Sequence, residues 1–351
     1  MVSSMDSTGK SPLISVIVPA YNAVATLRTT LASVLNQTHS HLELWVIDDG
    51  STDETAAMVE KLRREWQDDR LQVASFENGG QAAARNRGLE LSQGRYVAFL
   101  DADDTWTPTK LADQLAALET NPSAAVAYSW TDYVDDDGVK LHRGSYVALS
   151  GSVLPALVVV NFLENGSNPL VRRGAIAKVG GFTPELVPSE DWDLWLRLAA
   201  QFEFVAVPQV QILYRVSPTS QSSNVRRLER SCIACLNRAF ERNIDDLDVQ
   251  KNRSQSFGNI YKYLLHKSLD GAVNVNQKQN WSRFKLAIRL FLNVLWFCPL
   301  FLVKRLTIKI FARIFILKIS SFFPVSQRLL TRLSNATRVD ALLGYIQLPK
   351  S

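Results

Sequence analysis

Hydrophobic and polar positions alternate along the first hundred residues in two different rhythms. "LISVIVPAYN" is a short β-branched apolar run stopped by Pro19, the pattern of a strand buried on both faces. "ATLRTTLASVLNQ" follows, with Leu27, Leu31, Val34 and Leu35 at helical spacing. "LELWVIDDGSTDE" then reads as a strand running into an acidic turn, and "ETAAMVEKLRREW" as a helix. "LQVASF" is a third strand, "GGQAAARNRGLELSQG" a helix with Gly at both ends, and "YVAFL" a fourth strand. This alternation, at a spacing of roughly 25–30 residues, predicts right-handed βαβ units and a mostly parallel sheet flanked by helices, an α/β fold. Ligands of such sheets bind outside the carboxyl ends of the strands. "PAYN", "DDGS", "ENGG" and "DADD" all fall at those ends, so four polar clusters are expected to share one rim.

The fourth cluster, in "VAFLDADDTW", sets Asp101, Asp103 and Asp104 directly after an apolar strand. Crowded carboxylates repel, so either they fan into water as a turn, with Asp104 capping the next helix, or they hold a cation. The first strand lacks a following G-x-G-x-x-G, which argues against a nicotinamide or flavin dinucleotide. Acids in place of glycines can accept hydrogen bonds from a base or ribose, or hold a hard divalent cation that carries a diphosphate. "GKS" at residues 9–11 resembles the tail of a phosphate-binding loop, but it precedes its strand and lacks the upstream Gly, so it is set aside. In "DDGSTDET" Gly50 suits a turn, with Thr52 or Asp53 capping the helix. "YVDDDG" reads as a hairpin turn at Gly138.

The chain has 351 residues, 46% of them hydrophobic, ample for a core, and a formal net charge of +5. The distribution says more than the total. Residues 281–351 hold twelve Lys and Arg and one acid, Asp340, leaving 27 basic and 33 acidic residues in the rest. An acidic body with a basic tail suggests two regions with different partners. "LFLNVLWFCPLFLV", residues 290–303, is uncharged over fourteen positions, short of the ~20 apolar residues of a spanning helix. "KRLTIKIFARIFILKISSFF" follows, with Arg305, Lys309 and Arg313 one helical turn apart among apolar residues. That pattern suits an anionic membrane surface, so peripheral or re-entrant attachment on the cytoplasmic side is expected. Cys232, Cys235 and Cys298 give no disulfide framework and point to a reducing compartment, and the C-x-x-C in "ERSCIACLNRAF" reads as helix packing. "MVSSMDSTGKSP" has no apolar core, so no signal peptide is expected, and no nucleic-acid partner is expected either.

Taken in order, "ISVIVPAYNA", "VIDDGSTDET", "ENGGQAAARNRGL", "AFLDADD" and "SEDWDLWLRL" resemble a family 2 glycosyltransferase of the GT-A fold over residues 13–215. The resemblance implies inverting transfer of a sugar from a nucleoside diphosphate sugar, a UDP-sugar first, onto a hydroxyl acceptor, with Mg²⁺ or Mn²⁺. The domain is expected over 13–225, between a disordered 1–12 and a helical, basic, membrane-associating 226–351. By the same resemblance Asp101 contacts the ribose or sugar and Asp103 ligates the metal that stabilises the departing diphosphate. Asp48 or Asp49, Asp49 in the first place, accepts from a uracil-type N3–H, with Pro19 beside it and Tyr21 stacking nearby. Gln81 stands where the family reads the base, Arg85 and Asn86 match its Arg-Asn pair, and the helix they open can face anionic groups. Asp191, behind the plausible cap Ser189, becomes the general base that deprotonates the acceptor. Glu190 and Trp192 shape the acceptor or sugar pocket, and Gly180 and Gly181 serve backbone geometry there.

One departure stands out. Where relatives carry a His two residues after the Arg of "ILYR", this chain has Ser217, a poor metal ligand, and none of His39, His41, His142 and His266 replaces it obviously. The acceptor is expected in cell-surface polysaccharide or lipid-linked glycan assembly. The alternatives are transfer to a polyprenyl phosphate and a nucleotide-sugar-binding protein without activity, the second disfavoured by the intact Asp101, Asp103 and Asp191. A cytidylyl-type nucleotidyltransferase would need a Gly-rich basic loop after the first strand, which "PAYNA" does not supply.

Overall fold

All seven residues of the first strand, Ile14–Ala20 (β1), are buried without alternation, as a strand covered on both faces requires. The computed structural model describes residues 11–216, 224–269 and 277–299, with positions 310, 314, 315 and 318. Helix α1 (Leu27–Leu35) lays Leu27, Leu31 and Val34 on the sheet and keeps Leu35 half-buried. Strand β2 (Leu42–Asp48), helix α2 (Thr55–Trp66), strand β3 (Leu71–Ser75), helix α3 (Gln81–Leu91) and strand β4 (Tyr96–Phe99) continue the predicted alternation. Parallel pairing of β1 with β2 and β4, and of β2 with β3, sets Ala20 opposite Asp48 and Asp48 opposite Ser75. Ile17 pairs with Phe99, so the acidic triplet after β4 leaves the sheet at the same rim.

The rest of the sheet departs from a simple repeat. Strand β5 (Thr105–Trp106) and helix α4 (Lys110–Thr120) lead to strand β6 (Ala124–Val134), which turns back into strand β7 (Lys140–Arg143) through the expected hairpin. Asp135 holds that turn, its carbonyl accepting from Gly138 N–H at 3.1 Å and its carboxylate from Val139 N–H at 2.8 Å. Then come helix α5 (Leu154–Leu157), strand β8 (Leu170–Arg172), helix α6 (Arg173–Val179), helix α7 (Glu190–Ala199) and strand β9 (Glu203–Arg215). The order is β3-β2-β1-β4-β8-β6-β9-β5, with β7 paired to β6. β8 is antiparallel to both β4 and β6, β6 is parallel to β9, and β5 is antiparallel to β9.

One close approach fixes α3, the helix that will matter most. Gly88 faces β1, where an added Cβ would lie 2.3 Å from Ile17 Cγ2. A larger residue would lift the helix off the strand.

The chain divides into two units, Met1–Leu157 with Asn161–Ser220, and Val158–Val160 with Gln221–Ser351. The second contains helices α8 (Val225–Arg242), α9 (Leu247–Gln250), α10 (Arg253–Leu269) and α11 (Gln277–Phe297). Cys232 and Cys235 are buried in the packed face of α8, as helix packing predicts. Phe297 of α11 stacks on Phe257 and Tyr261 of α10 at 5.5 and 5.7 Å between centroids. Among the described residues no helix is long and apolar enough to cross a membrane. Ser217 and the stripe of Arg305, Lys309 and Arg313 lie outside the described residues, as does the expected disorder of the N-terminus up to residue 10.

Gly88→Ala is expected to lower unfolding free energy by about 1–3 kcal/mol through overpacking against Ile17. A denaturant titration checks it, with the midpoint falling and the slope unchanged.

Candidate active site

The rim is built from backbone turns that carboxylates hold in place. Asp48 and Asp49, at the end of β2, are both buried. Asp49 Oδ1 accepts from Gly79 N–H at 2.9 Å and from Arg87 Nη1 at 3.1 Å, while Oδ2 accepts from Gly80 N–H at 2.7 Å. Gly80, at φ +85°, opens α3 in a conformation that suits glycine. Asp49, expected first at a nucleotide base, therefore spends most of its accepting capacity on the start of α3. Asp48 is less committed, with Oδ1 accepting from Ser51 N–H at 3.1 Å. Pro19 sits within β1 opposite Ile47, and Tyr21 just beyond the strand is 53% exposed, an open ring at the rim.

Helix α3 carries the centre of the site. Arg85 is 2% exposed and donates from Nη2 to Asp101 Oδ1 at 2.6 Å and from Nη1 to Glu190 Oε1 at 2.8 Å. Its guanidinium lies over the Phe182 ring, 5.1 Å from the centroid. Burial works against its charge, yet the fields of Asp101, Glu190 and Asp191 outweigh it and hold the guanidinium more firmly protonated than usual. Gln81 Nε2 donates to the same Asp101 oxygen at 2.8 Å. Asn86 forms a reciprocal pair with the Phe182 backbone, Nδ2 to the carbonyl at 2.9 Å and Oδ1 from the N–H at 2.8 Å. The three residues expected at the nucleotide sugar also bond within the protein: Gln81 and Arg85 orient Asp101, and Asn86 holds the turn ahead of α7.

The acidic triplet separates by burial. Asp101 remains 19% exposed at the rim, its backbone N–H donating to Ser167 Oγ at 3.1 Å. Asp104 is fully buried and accepts from Ser167 Oγ at 2.6 Å and from Arg215 N–H at 3.0 Å. It neither fans into water nor caps α4, whose cap position belongs to Thr109. Burial first, and then Asp103 and Asp101, push its carboxyl well above the usual range. Asp103 is half-buried, and burial together with Asp101 pushes it up to about 6, with Arg215 opposing. Between them the loop backbone is fastened on two sides: Ala102 O accepts from Thr26 and Thr30 hydroxyls at 2.8 and 3.0 Å, and Asp103 O from Arg215 Nε at 3.0 Å. Arg215 also bonds the Asp136 carbonyl, which ties this loop to the β6–β7 turn.

Facing the triplet is the first turn of α7. Glu190 is 3% exposed, paired through Oε1 with Arg85, and its Oε2 has no hydrogen-bond partner. Burial pushes its carboxyl up, and Arg85 recovers only part of that. Asp191 is half-buried, accepts from Trp192 N–H at 2.6 Å, and is pushed up to about 7 by burial and by Glu190. Trp192 is 3% exposed, its indole N–H donating to Leu157 O at 3.1 Å, and so anchors α7 on α5. Ser189 occupies the cap position without a side-chain cap bond.

Three arginines complete the frame that the sequence did not announce. Arg197 bonds Asp193 at 2.8 Å and the carbonyls of Val179, Gly180 and Gly181 at 2.8, 2.8 and 2.6 Å. Gly180 sits at φ +82°, and a Cβ on Gly181 would lie 2.5 Å from Asn86 Oδ1, so both glycines serve the geometry expected of them. Arg87 and Arg215 are the other two. The i,i+4 spacing of Asp193 and Arg197 was the one local signal available.

The family model described as Glycosyltransferase like family 2 matches residues 15–265. TuaG of Bacillus subtilis (strain 168), by name a teichuronic acid biosynthesis glycosyltransferase, is 34% identical over 229 residues, which cover 62% of this chain and 84% of TuaG. WfgD of Escherichia coli, named UDP-Glc:alpha-D-GlcNAc-diphosphoundecaprenol beta-1,3-glucosyltransferase, is 33% identical over 217 residues, 60% of this chain and 80% of WfgD. Among solved structures, S. aureus TarS 1-349 in complex with UDP-GlcNAc superposes with a TM-score of 0.51 at 17% identity, covering 81% of this chain and 88% of that one, a likeness of fold.

Arg85→Lys keeps the charge but lacks a planar fork that can reach Asp101 and Glu190 together. Thermal and chemical melts are expected to show a loss of about 1.5–3 kcal/mol, the worth of one charge-assisted hydrogen bond. Full stability in that variant would mean that the two carboxylates do not depend on a common bridge.

Proposed function

This chain belongs to the glycosyltransferase-like family 2, and we propose that it transfers a hexose-type sugar, with inversion, from a UDP-sugar to a hydroxyl of a lipid-linked glycan acceptor. One observation carries the reading: Arg85 bonds Asp101 and Glu190 at once, so the acidic loop after β4 and the start of α7 face each other across a fixed gap. The names of TuaG and WfgD support cell-surface polysaccharide assembly, and that of WfgD supports an acceptor carried on a lipid diphosphate.

The residues present divide the work by chemistry. Tyr21, exposed beside the buried Asp48 and Asp49, offers a ring for the base and Asp48 a free carboxylate oxygen for its N–H. Asp101, already bonded by Gln81 and Arg85, keeps an exposed edge for ribose or sugar hydroxyls. Asp191 accepts the proton of the acceptor hydroxyl, whose oxygen then attacks the anomeric carbon as the nucleoside diphosphate leaves from the opposite face. A group near pH 7 suits this role, being deprotonated in a useful fraction and still basic enough to take the proton.

The donor set fits a hard divalent cation. Asp103 stands beside Asp101, its backbone carbonyl bonded by Arg215, and burial first and then Asp101 raise its carboxyl. Among the described residues no group of three or more His, Cys, Asp or Glu could hold a metal ion by itself. Mg²⁺ or Mn²⁺ needs only one or two protein carboxylates when phosphates and water complete the shell. Bound there, the ion would neutralise charge developing on the departing diphosphate.

Three outcomes test this reading. Asp191→Asn should leave UDP-sugar binding intact and lower turnover roughly 10²–10⁴-fold. In the parent enzyme kcat/KM for the acceptor should rise about tenfold per pH unit below about 7 and level off above it, because only the anionic carboxylate is a base. A flat profile together with near-normal turnover in Asp191→Asn removes Asp191 from the chemistry. Asp103→Ala should abolish the Mn²⁺-dependent part of UDP binding in calorimetric titrations, and binding equal to the parent would reduce the triplet to a turn.

A further inference from the structure

Helix α11, "QKQNWSRFKLAIRLFLNVLWF", contains four basic residues and no acid. Its inner face is settled: Ala287, Leu290, Phe291 and Val294 are buried. Its outer face follows helical spacing through Trp281, Lys285, Arg289, Leu292 and Trp296. Along a straight helix that stripe is about 22 Å long. At its far end Leu292 is 59% exposed and Trp296 82% exposed. Water is a costly neighbour for two such side chains one turn apart, and lysine and arginine beside them show what else should be near.

We propose that the outer stripe of α11 docks on an anionic lipid surface, Leu292 and Trp296 entering the headgroup boundary while the exposed Lys285 meets lipid phosphates and Arg289, on the same stripe, stays ion-paired with Glu229. Tryptophan is suited to that depth, its ring apolar and its N–H able to reach polar headgroups. Basic and apolar residues on one face are what an interfacial helix requires. The charge also selects among occupants. A second copy of this chain would set one basic stripe on another, where like charges repel. The sequence after α11 stays positive, eight of its nine ionisable side chains from residue 304 to 340 being Lys or Arg. Docking through α11 does not depend on which sugar is transferred, so it stands or falls apart from the transferase reading.

The full-length protein should co-sediment with vesicles of phosphatidylcholine and phosphatidylglycerol and much less with phosphatidylcholine alone. Lys285→Gln should weaken partitioning about fivefold, the effect of one positive residue near an anionic surface. Leu292→Ser with Trp296→Ser should weaken it roughly tenfold or more, with circular dichroism and UDP-sugar hydrolysis unchanged. Brominated lipids should quench fluorescence in the parent more than in Trp296→Phe. The proposal is overturned if the parent ignores anionic vesicles, or if the double variant binds as the parent does. It is equally overturned if lipid-free parent sediments as a dimer that the double variant dissolves, which would make the stripe a contact between copies.

Discussion

The buried guanidinium of Arg85 is the constraint on which the rest of the site depends. Taking a cation and two carboxylates out of water costs several kcal/mol per ion, and only close, well-directed pairing returns it. Here the fork reaches Asp101 at 2.6 Å and Glu190 at 2.8 Å, groups that lie 16 and 105 residues away along the chain. Removing Arg85 would strand the buried charge of Glu190, so the acidic loop and the start of α7 are held through this one side chain. Phe182 covers the guanidinium, and Gly166 is close enough that a Cβ there would lie 2.7 Å from Arg85 Nη2. The protein has left side chains off the positions next to this bridge.

That bridge works only because α3 is itself placed with little freedom. Its outer end is held by Asp49 through the Gly79 and Gly80 amides, and its middle presses Gly88 onto Ile17 of β1. Directly after Arg85 on α3, Asn86 grips the Phe182 backbone in two directions. Sheet, helix and turn therefore meet at a few polar contacts, each between elements far apart in sequence. The apolar core supplies the bulk of the stabilising burial, but these contacts decide where the carboxylates stand.

The same division explains what the sequence made legible. Strand and helix alternation reads directly from apolar periodicity, and the parallel register then brings the four polar clusters to one rim. The packed thiols of α8 and the Asp135–Gly138 turn were equally visible, because local spacing determines them. The internal partners of Gln81, Arg85 and Asn86 were not, since nothing local marks an arginine that will meet Glu190 across the fold. The packing of Trp192 was hidden for a related reason: a tryptophan at a helix start can face outward or pack inward, and only the Leu157 carbonyl shows where its indole N–H goes. Arg87 and Arg215 escaped notice because their partners include backbone carbonyls, which carry no sequence signal.

Magnitudes also single out one acid among the three in the first turn of α7. The positive end of a helix favours an anion by about 0.3–1 kcal/mol, less than one pKa unit. On that ground alone Glu190 and Asp191 would both be held low. Glu190 instead spends its charge on Arg85, and Asp193 is 1% exposed with Arg197 at 2.8 Å and Thr183 Oγ1 at 2.9 Å. Asp191 is bonded to a backbone N–H alone, and burial with the neighbouring Glu190 carries it up to about 7, past anything the helix end can offset. A proton acceptor has to be near neutrality and not already engaged by a cation. Of the three, Asp191 meets both conditions, because its two neighbours have taken the arginines.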